Sequence, residues 1–315
     1  MSKVSLPRPL RGVIPPLATP LLDRDRLDHA GLGRLIEHVL GGGVHGLFVL
    51  GTTGEAPGLS HRLRCELVER ACAQVAGRVP VLVGITDTSF TESVEMAEHA
   101  ADNGAAAVVV APPYYFPAGQ PELVEYVEHI AAEVPLPLFL YNMPSHTKIS
   151  FELETIQRTL HIPNIVGLKD SSGQMVYFHK VRQMIAARPD FSLLIGPEEL
   201  LPDAVLAGAH GGVCGGANLA PRLYVDLYEA ALCGDLARVR ELHARVLGIS
   251  MTIYSAGPYW SAFVKGLKCA LACLGICEDF VAEPFQRFGP AERERIDRYL
   301  RELGLKEEAV AAQLR

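Results

Sequence analysis

The chain alternates between short, uninterrupted apolar runs and longer stretches whose apolar positions recur at helical spacing. The runs are GVIPPLAT from Gly12, GLFVLG from Gly46, VPVLVG from Val79, AAVVVAPP from Ala106, PLFLYNMP from Pro137, IVGLKDSS from Ile165, SLLIGPE from Ser192 and GGVCGGAN from Gly211. A strand with one wet face alternates apolar and polar residues, whereas a strand buried on both faces is apolar throughout, as these are. The intervening stretches read as amphipathic helices. Between Ser60 and Ala76, for example, Leu63, Leu67 and Val68 share a face with Val75 further along, Arg62, Arg64, Glu66 and Glu69 point elsewhere, and Ser60 is placed to cap the start. Eight β-α units in succession predict an α/β fold with a parallel sheet, closed as a (β/α)8 TIM barrel. The alternative, an open doubly wound sheet, would carry G-x-G-x-x-G after its first strand, and that fingerprint is missing.

No ninth run follows. The segments Asp235–Tyr254, Tyr259–Leu274 and Ala291–Leu303 read as helices, broken at Gly257-Pro258 and Glu283-Pro284. This predicts a catalytic barrel over residues 1–234 and a helical region over 235–315, which is an appendage because no Gly/Ser linker precedes it.

Composition narrows the partners. The net charge is −7, and no basic run is present to track a phosphate backbone, so no nucleic acid is expected. The start, MSKVSLPRPLRGVIPP, places prolines and charges where a secretory signal needs an apolar core, and no later segment offers an uncharged membrane span. A cytoplasmic protein that does not contact a membrane is the expectation. Its seven cysteines are then reduced thiols, and Cys269, Cys273 and Cys277 recur every four residues as if on one helix face. No histidine completes a ligand set with them, so no metal is expected.

In a barrel of this kind the reactive groups gather at the carboxyl ends of the strands. Three ends carry chemistry: Gly51-Thr52-Thr53-Gly54-Glu55, Tyr141-Asn142-Met143-Pro144 and Lys169-Asp170-Ser171-Ser172. Lys169 follows Ile165-Val166-Gly167-Leu168, so its ammonium would sit in or beside a buried strand, an expensive place for a charge. A free lysine amine is neutral in about one molecule in 2,500 at pH 7, and burial that lowers its pKa to 7–8 makes roughly 10–50% nucleophilic. Attack on a ketone gives an iminium that draws electrons from the neighbouring carbon. The competing reading pairs Lys169 with Asp170 as a structural ion pair. Thr52 and Thr53 occupy a glycine-flanked turn whose N–H groups and hydroxyls suit a carboxylate, although Gly-Thr-Thr-Gly is also a good generic turn. Tyr141 can relay protons or merely pack.

Six motifs taken in order, GVIPPLATP, GTTGE, APPYYF, YNMP, GLKDSSG and GGVCGGAN, make nearly the whole chain resemble the dihydrodipicolinate synthase / N-acetylneuraminate lyase family of class I aldolases. The resemblance implies a Schiff base on Lys169, a strand-end proton relay at Tyr141, and a pyruvate carboxylate held by Thr52 and Thr53, with Thr53 also passing a proton. It implies that Tyr115 reaches into a neighbouring subunit's site, hence a homodimer or homotetramer, and that Gly196 and Val213 line the pyruvate pocket. No cofactor is implied. The chain departs from the pattern at His146, where synthases of the family carry an arginine that clamps a second carboxylate; a histidine holds such a group more weakly. The Lys-Asp-Ser-Ser motif looks more like the family's sugar-acid aldolases. Of the histidines of a lysine feedback site, His61 matches one and Arg64 replaces another.

The function expected is therefore a lyase that cleaves or condenses a 2-keto-3-deoxy sugar acid or a 4-hydroxy-2-oxo acid, with pyruvate and an aldehyde as partners. The alternatives are dihydrodipicolinate synthase itself, a dehydratase or deaminase using the same imine, and a 2-oxo-acid sensor without turnover.

Overall fold

The computed structural model describes residues 5–308; the first four residues of the amino-terminal segment and the last seven of the 235–315 region lie outside it. Each of the eight apolar runs contains a strand. In chain order the strands are β1 (Gly12–Val13), β2 (Leu21–Asp23), β3 (Arg26–Leu27), β4 (Leu47–Val49), β5 (Val81–Gly84), β6 (Ala107–Val110), β7 (Leu138–Asn142), β8 (Ile165–Asp170), β9 (Ser192–Ile195) and β10 (Gly211–Gly212). Eight of them form one sheet in the order β1-β10-β9-β8-β7-β6-β5-β4, with every pairing parallel. The two ends meet just beyond β1, where Pro16 bridges to Phe48 of β4 in parallel. There Phe48 N donates to Pro15 O at 2.9 Å and Leu17 N donates to Phe48 O at 2.8 Å. The sheet is thus a closed barrel with helices between its strands, as the repeat predicts.

The eight barrel strands are predominantly apolar because they have two dry faces. Inside the barrel, Ile14, Phe48, Leu82, Val109, Phe139, Tyr141, Val166, Leu194 and Val213 form one cluster. Their strand neighbours Leu47, Val49, Val108, Val110, Leu138 and Leu140 face outward into a second, larger core under the helices. Helix His61–Val75 shows how the outer layer is built. Ser60 Oγ accepts from Leu63 N at 3.2 Å at its start, and Leu63, Leu67, Val68, Ala71, Cys72 and Val75 are buried. Such a cap stabilises a helix by about 1 kcal/mol.

One irregularity decides the chemistry. Between β7 and β8 the register shifts: Leu138 pairs with Ile165, but Phe139 pairs with Gly167. The extra residue is a bulge at Val166-Gly167. Val166 belongs to the interior cluster and Leu168 to the outer core, so simple alternation is broken between them. Gly167 makes this possible, because a Cβ there would stand 2.3 Å from the Phe139 ring and 2.8 Å from Ser192 O. Beyond the bulge Lys169 faces inward and Asp170 outward. Without it the two would exchange faces.

Helices Leu236–Thr252, Ala262–Cys273 and Pro290–Glu302 occupy the three carboxy-terminal segments expected to be helical. The structure adds one element to the sequence pattern and corrects one expectation. The antiparallel hairpin β2–β3, with Leu21 opposite Leu27, was not foreseen, since strands of three and two residues around Arg24-Asp25 are too short to show a period. The helix that carries Cys269 and Cys273 ends at Cys273, so Cys277 lies beyond it and the three thiols do not share a face. All seven cysteines are free; Cys233 is exposed. Among the described residues no helix is long and apolar enough to cross a membrane.

Candidate active site

Lys169 and Tyr141 are partners across β8 and β7, and both point into the barrel at its carboxyl end. Lys169 is only 6% exposed. Its Nζ lies 3.8 Å from the centroid of the Tyr141 ring and 5.1 Å from that of Phe48. The two rings stand edge to face at 88°, with centroids 6.5 Å apart. The amine therefore ends between two aromatic rings. Thr52 Oγ1 reaches the Tyr141 hydroxyl at 3.2 Å, bringing the threonine turn to the same point.

Asp170 does not neutralise the lysine. Its carboxylate faces the other way, accepting from Asn142 Nδ2 at 2.9 Å, Ser172 N at 3.1 Å and Ser172 Oγ at 3.0 Å. Burial pushes this carboxyl above its ordinary pKa despite those donors. Among the described residues Lys169 joins no ion pair, so the structural-pair reading fails. Burial also pushes the Tyr141 phenol up. The positive charge of Lys169 and hydrogen bonds with Thr52, Lys169 and Ser171 together outweigh that, leaving the phenol below its ordinary value.

The Thr52–Thr53 turn is held under some strain. Leu50 and Glu55, on either side of it, have φ of 59° and 57°, in the left-handed region that a non-glycine residue enters at a cost of about 1–2 kcal/mol. Gly54 O accepts from Thr19 Oγ1 at 2.7 Å, and Glu55 N donates to Thr52 O at 3.0 Å. Thr53 is buried and Thr52 half-buried. On the opposite wall, Gly196 N donates to Asp170 O at 2.7 Å, which places it beside the lysine strand, and Val213 N donates to Ile195 O at 2.8 Å, which places it one strand further round the barrel. A Cβ on Gly196 would fall 1.8 Å from Ser171 Oγ.

Lys169, Tyr141 and Thr52 are thus brought into one cluster, with Thr53, Gly196 and Val213 on the surrounding segments. His146 sits on a one-turn helix, Pro144–Thr147, with Nδ1 3.0 Å from Ser145 Oγ. It is exposed to solvent on one side, yet the protein around it, and secondarily the charge of Lys169, hold its imidazole below the usual pKa. Tyr115 stands apart: it is 68% exposed, with the Phe116 ring edge-on at 5.0 Å. Two site residues escaped the sequence reading. Phe48 was lost in a run read as uniformly apolar, and Ser171 lay in a Ser-Ser pair whose inward member alternation alone could not choose. Arg64, at the position departing from the feedback pattern, pairs with Asp87 at 2.7 Å, while His61 pairs with Glu92 at 3.0 Å.

Known proteins resemble this chain over nearly its whole length. The Dihydrodipicolinate synthetase family matches residues 9–303. A 4-hydroxy-tetrahydrodipicolinate synthase of Aromatoleum aromaticum is 33% identical over 298 residues, covering 94% of this chain and 99% of its own. An uncharacterized DapA-like lyase of Halobacterium salinarum is 34% identical over 299 residues, 95% of this chain and 96% of its own. Among solved structures, dihydrodipicolinate synthase from Bacteroides thetaiotaomicron superposes with a TM-score of 0.91 at 57% identity, covering 93% of this chain and 99% of that one. YagE, an Escherichia coli prophage protein of the same family solved with pyruvate, gives 0.88 at 30% identity, covering 94% and 99%. With the match running from one end of the barrel through the carboxy-terminal helices, this chain belongs to the dihydrodipicolinate synthetase family and is a lyase of the aldolase type.

Proposed function

We propose that Lys169 condenses with a 2-oxo acid such as pyruvate, and that the chain cleaves or condenses a 2-keto-3-deoxy sugar acid or a 4-hydroxy-2-oxo acid through that imine. The observation that carries this reading is the lysine amine between Tyr141 and Phe48, without an acidic partner, beside a hydroxyl chain running from Tyr141 to Thr52. In the cleavage direction Nζ attacks the C2 carbonyl and water leaves. The resulting iminium accepts the C3–C4 bonding pair as an enamine while the C4 hydroxyl proton passes to Tyr141, and the aldehyde departs. Returning that proton to C3 and hydrolysing the imine releases pyruvate and restores the amine. A phenol whose pKa lies below its ordinary value is suited to that exchange.

Thr52 and Thr53 supply donors for the substrate carboxylate and Gly196 and Val213 leave room beside it, while the hydroxyl placed to exchange a proton with Tyr141 is that of Thr52, 3.2 Å away, rather than that of Thr53. Tyr115, exposed on its own chain, completes the site of a second copy in a homodimer or homotetramer. His146 faces the distal end of the substrate. Its imidazole is largely neutral at pH 7 and lacks the fixed charge that a second carboxylate requires, which favours sugar acids. The name carried by relatives such as that of Aromatoleum aromaticum supports a second reading, condensation of pyruvate with aspartate semialdehyde.

Incubation with pyruvate and borohydride, followed by mass measurement, tests the first step. The reduced adduct should appear on the wild-type chain and vanish in Lys169→Ala; a wild type that gains no mass refutes the mechanism. Turnover of a sugar-acid panel and of aspartate semialdehyde then separates the two substrate readings. A product that keeps the full carbon chain would indicate a dehydratase instead.

A further inference from the structure

The last residue of the GTTGE motif has no part in the chemistry above, yet it is tied more firmly than any of the others. Glu55 Oε1 meets Lys268 Nζ at 2.5 Å, and Glu55 Oε2 accepts from Ala282 N at 2.7 Å. The lysine side chain is 0% exposed and Glu55 is buried. Lys268 lies within helix Ala262–Cys273, and Ala282 follows it, so one carboxylate joins the strand-end turn to segments more than 200 positions later in the chain. Two opposite charges withdrawn from water are rarely a gain in stability over apolar residues of the same volume, so their use here points to a geometric role. Glu55 is also one of the two left-handed residues bracketing Thr52 and Thr53, and such a backbone persists only where its surroundings over-determine it.

We propose that Glu55 and Lys268 are positioning residues, through which helix Ala262–Cys273 sets the orientation of the Thr52–Thr53 turn and hence its hold on the carboxylate of the 2-oxo acid. This rests on the reading that the turn binds that carboxylate. Neither side chain touches the substrate. Their effect is confined to the acid end of the ligand, while the ketone meets Lys169 on a different strand.

The test compares pyruvate with acetone, which has the ketone but no carboxylate, by borohydride trapping on the full chain. In Lys268→Met the pyruvate concentration for half-maximal trapping should rise about tenfold or more, since small misplacements of a binding group have effects of that size. Acetone should be trapped at the wild-type rate. If the unpaired buried carboxylate keeps that variant from folding, Glu55→Gln/Lys268→Met removes both charges and should show the same selective loss. Unchanged pyruvate trapping in a folded variant overturns the proposal, as does an equal loss with pyruvate and acetone, which would mean that the pair supports Lys169 or the barrel at large. A wild type that traps both ketones equally well refutes the carboxylate role of the turn itself, and the proposal falls with it.

Discussion

Glu198 is a buried carboxyl that makes the stability of the fold depend on pH. It follows β9, two residues beyond Gly196, and is fully enclosed. Its Oε1 accepts from the Tyr224 hydroxyl at 2.5 Å and the Tyr254 hydroxyl at 2.8 Å, and its Oε2 accepts from Gly216 N at 2.8 Å. No cation is among these partners, and burial raises its pKa from 4.5 to about 7 despite three donors. A carboxyl whose pKa is raised on folding takes up a proton, so its contribution to stability is fully present below the unfolded value near 4.5 and is lost as pH climbs through about 7. Between pH 5 and 8 the loss integrates to about 2.5 kcal/mol, at 1.36 kcal/mol per pKa unit. With an unfolding entropy of about 2.1 cal/mol/K per residue, that is roughly 4 °C in Tm for a chain of 315 residues. Glu198→Gln cannot ionise and should lack this component. The assay is thermal unfolding of wild type and Glu198→Gln at pH 5 and pH 8, which cancels every other titrating group common to both. The wild-type Tm minus the variant Tm should fall by about 4 °C from the lower pH to the higher. A difference that is independent of pH, or that grows towards pH 8, would show that the buried carboxyl is not protonated on folding.

The remaining predictions concern turnover. Tyr141→Phe should slow kcat roughly 10²–10⁴-fold, as loss of a proton relay does, with the pyruvate adduct still detectable by mass; equal kcat in the two proteins would remove the phenol from the mechanism. Gly196→Ala should lower activity sharply, because the new methyl would overlap Ser171 Oγ at 1.8 Å and displace the residue that supports Tyr141. Steady-state kinetics alongside an unfolding curve distinguish this from collapse of the fold. His146→Arg should raise kcat/KM for substrates with a second carboxylate by about tenfold or more relative to sugar acids, since a permanent bidentate donor replaces a largely neutral ring. Unchanged selectivity across the panel would show that this position does not read the distal group.

Much of this protein can be read from residue order. Eight apolar runs with helical stretches between them are enough to count the barrel's units, because a strand dry on both faces has no polar positions to alternate. Capping at Ser60 was equally legible, being a local interaction over three residues. Candidate chemistry was visible as residue types at strand ends, one lysine, one tyrosine and a pair of threonines, of which the fold brings Lys169 and Thr52 to Tyr141. The short hairpin β2–β3 and the early end of the helix at Cys273 were not, since elements of two or three residues and helix ends carry little periodic signal.

What residue order alone determined was the inventory: the number of strands, the helices between them, and which strand ends carry reactive groups. What only the tertiary structure decided was which way those groups face. Lys169 and Asp170 are adjacent, and either could have pointed into the barrel; the bulge at Val166-Gly167, defined by pairing with Phe139, sends the amine inward and the carboxylate out. The same step separates Ser171 from Ser172. Facing is a property of register, and register is set by a neighbouring strand that is distant in sequence, which no local pattern records.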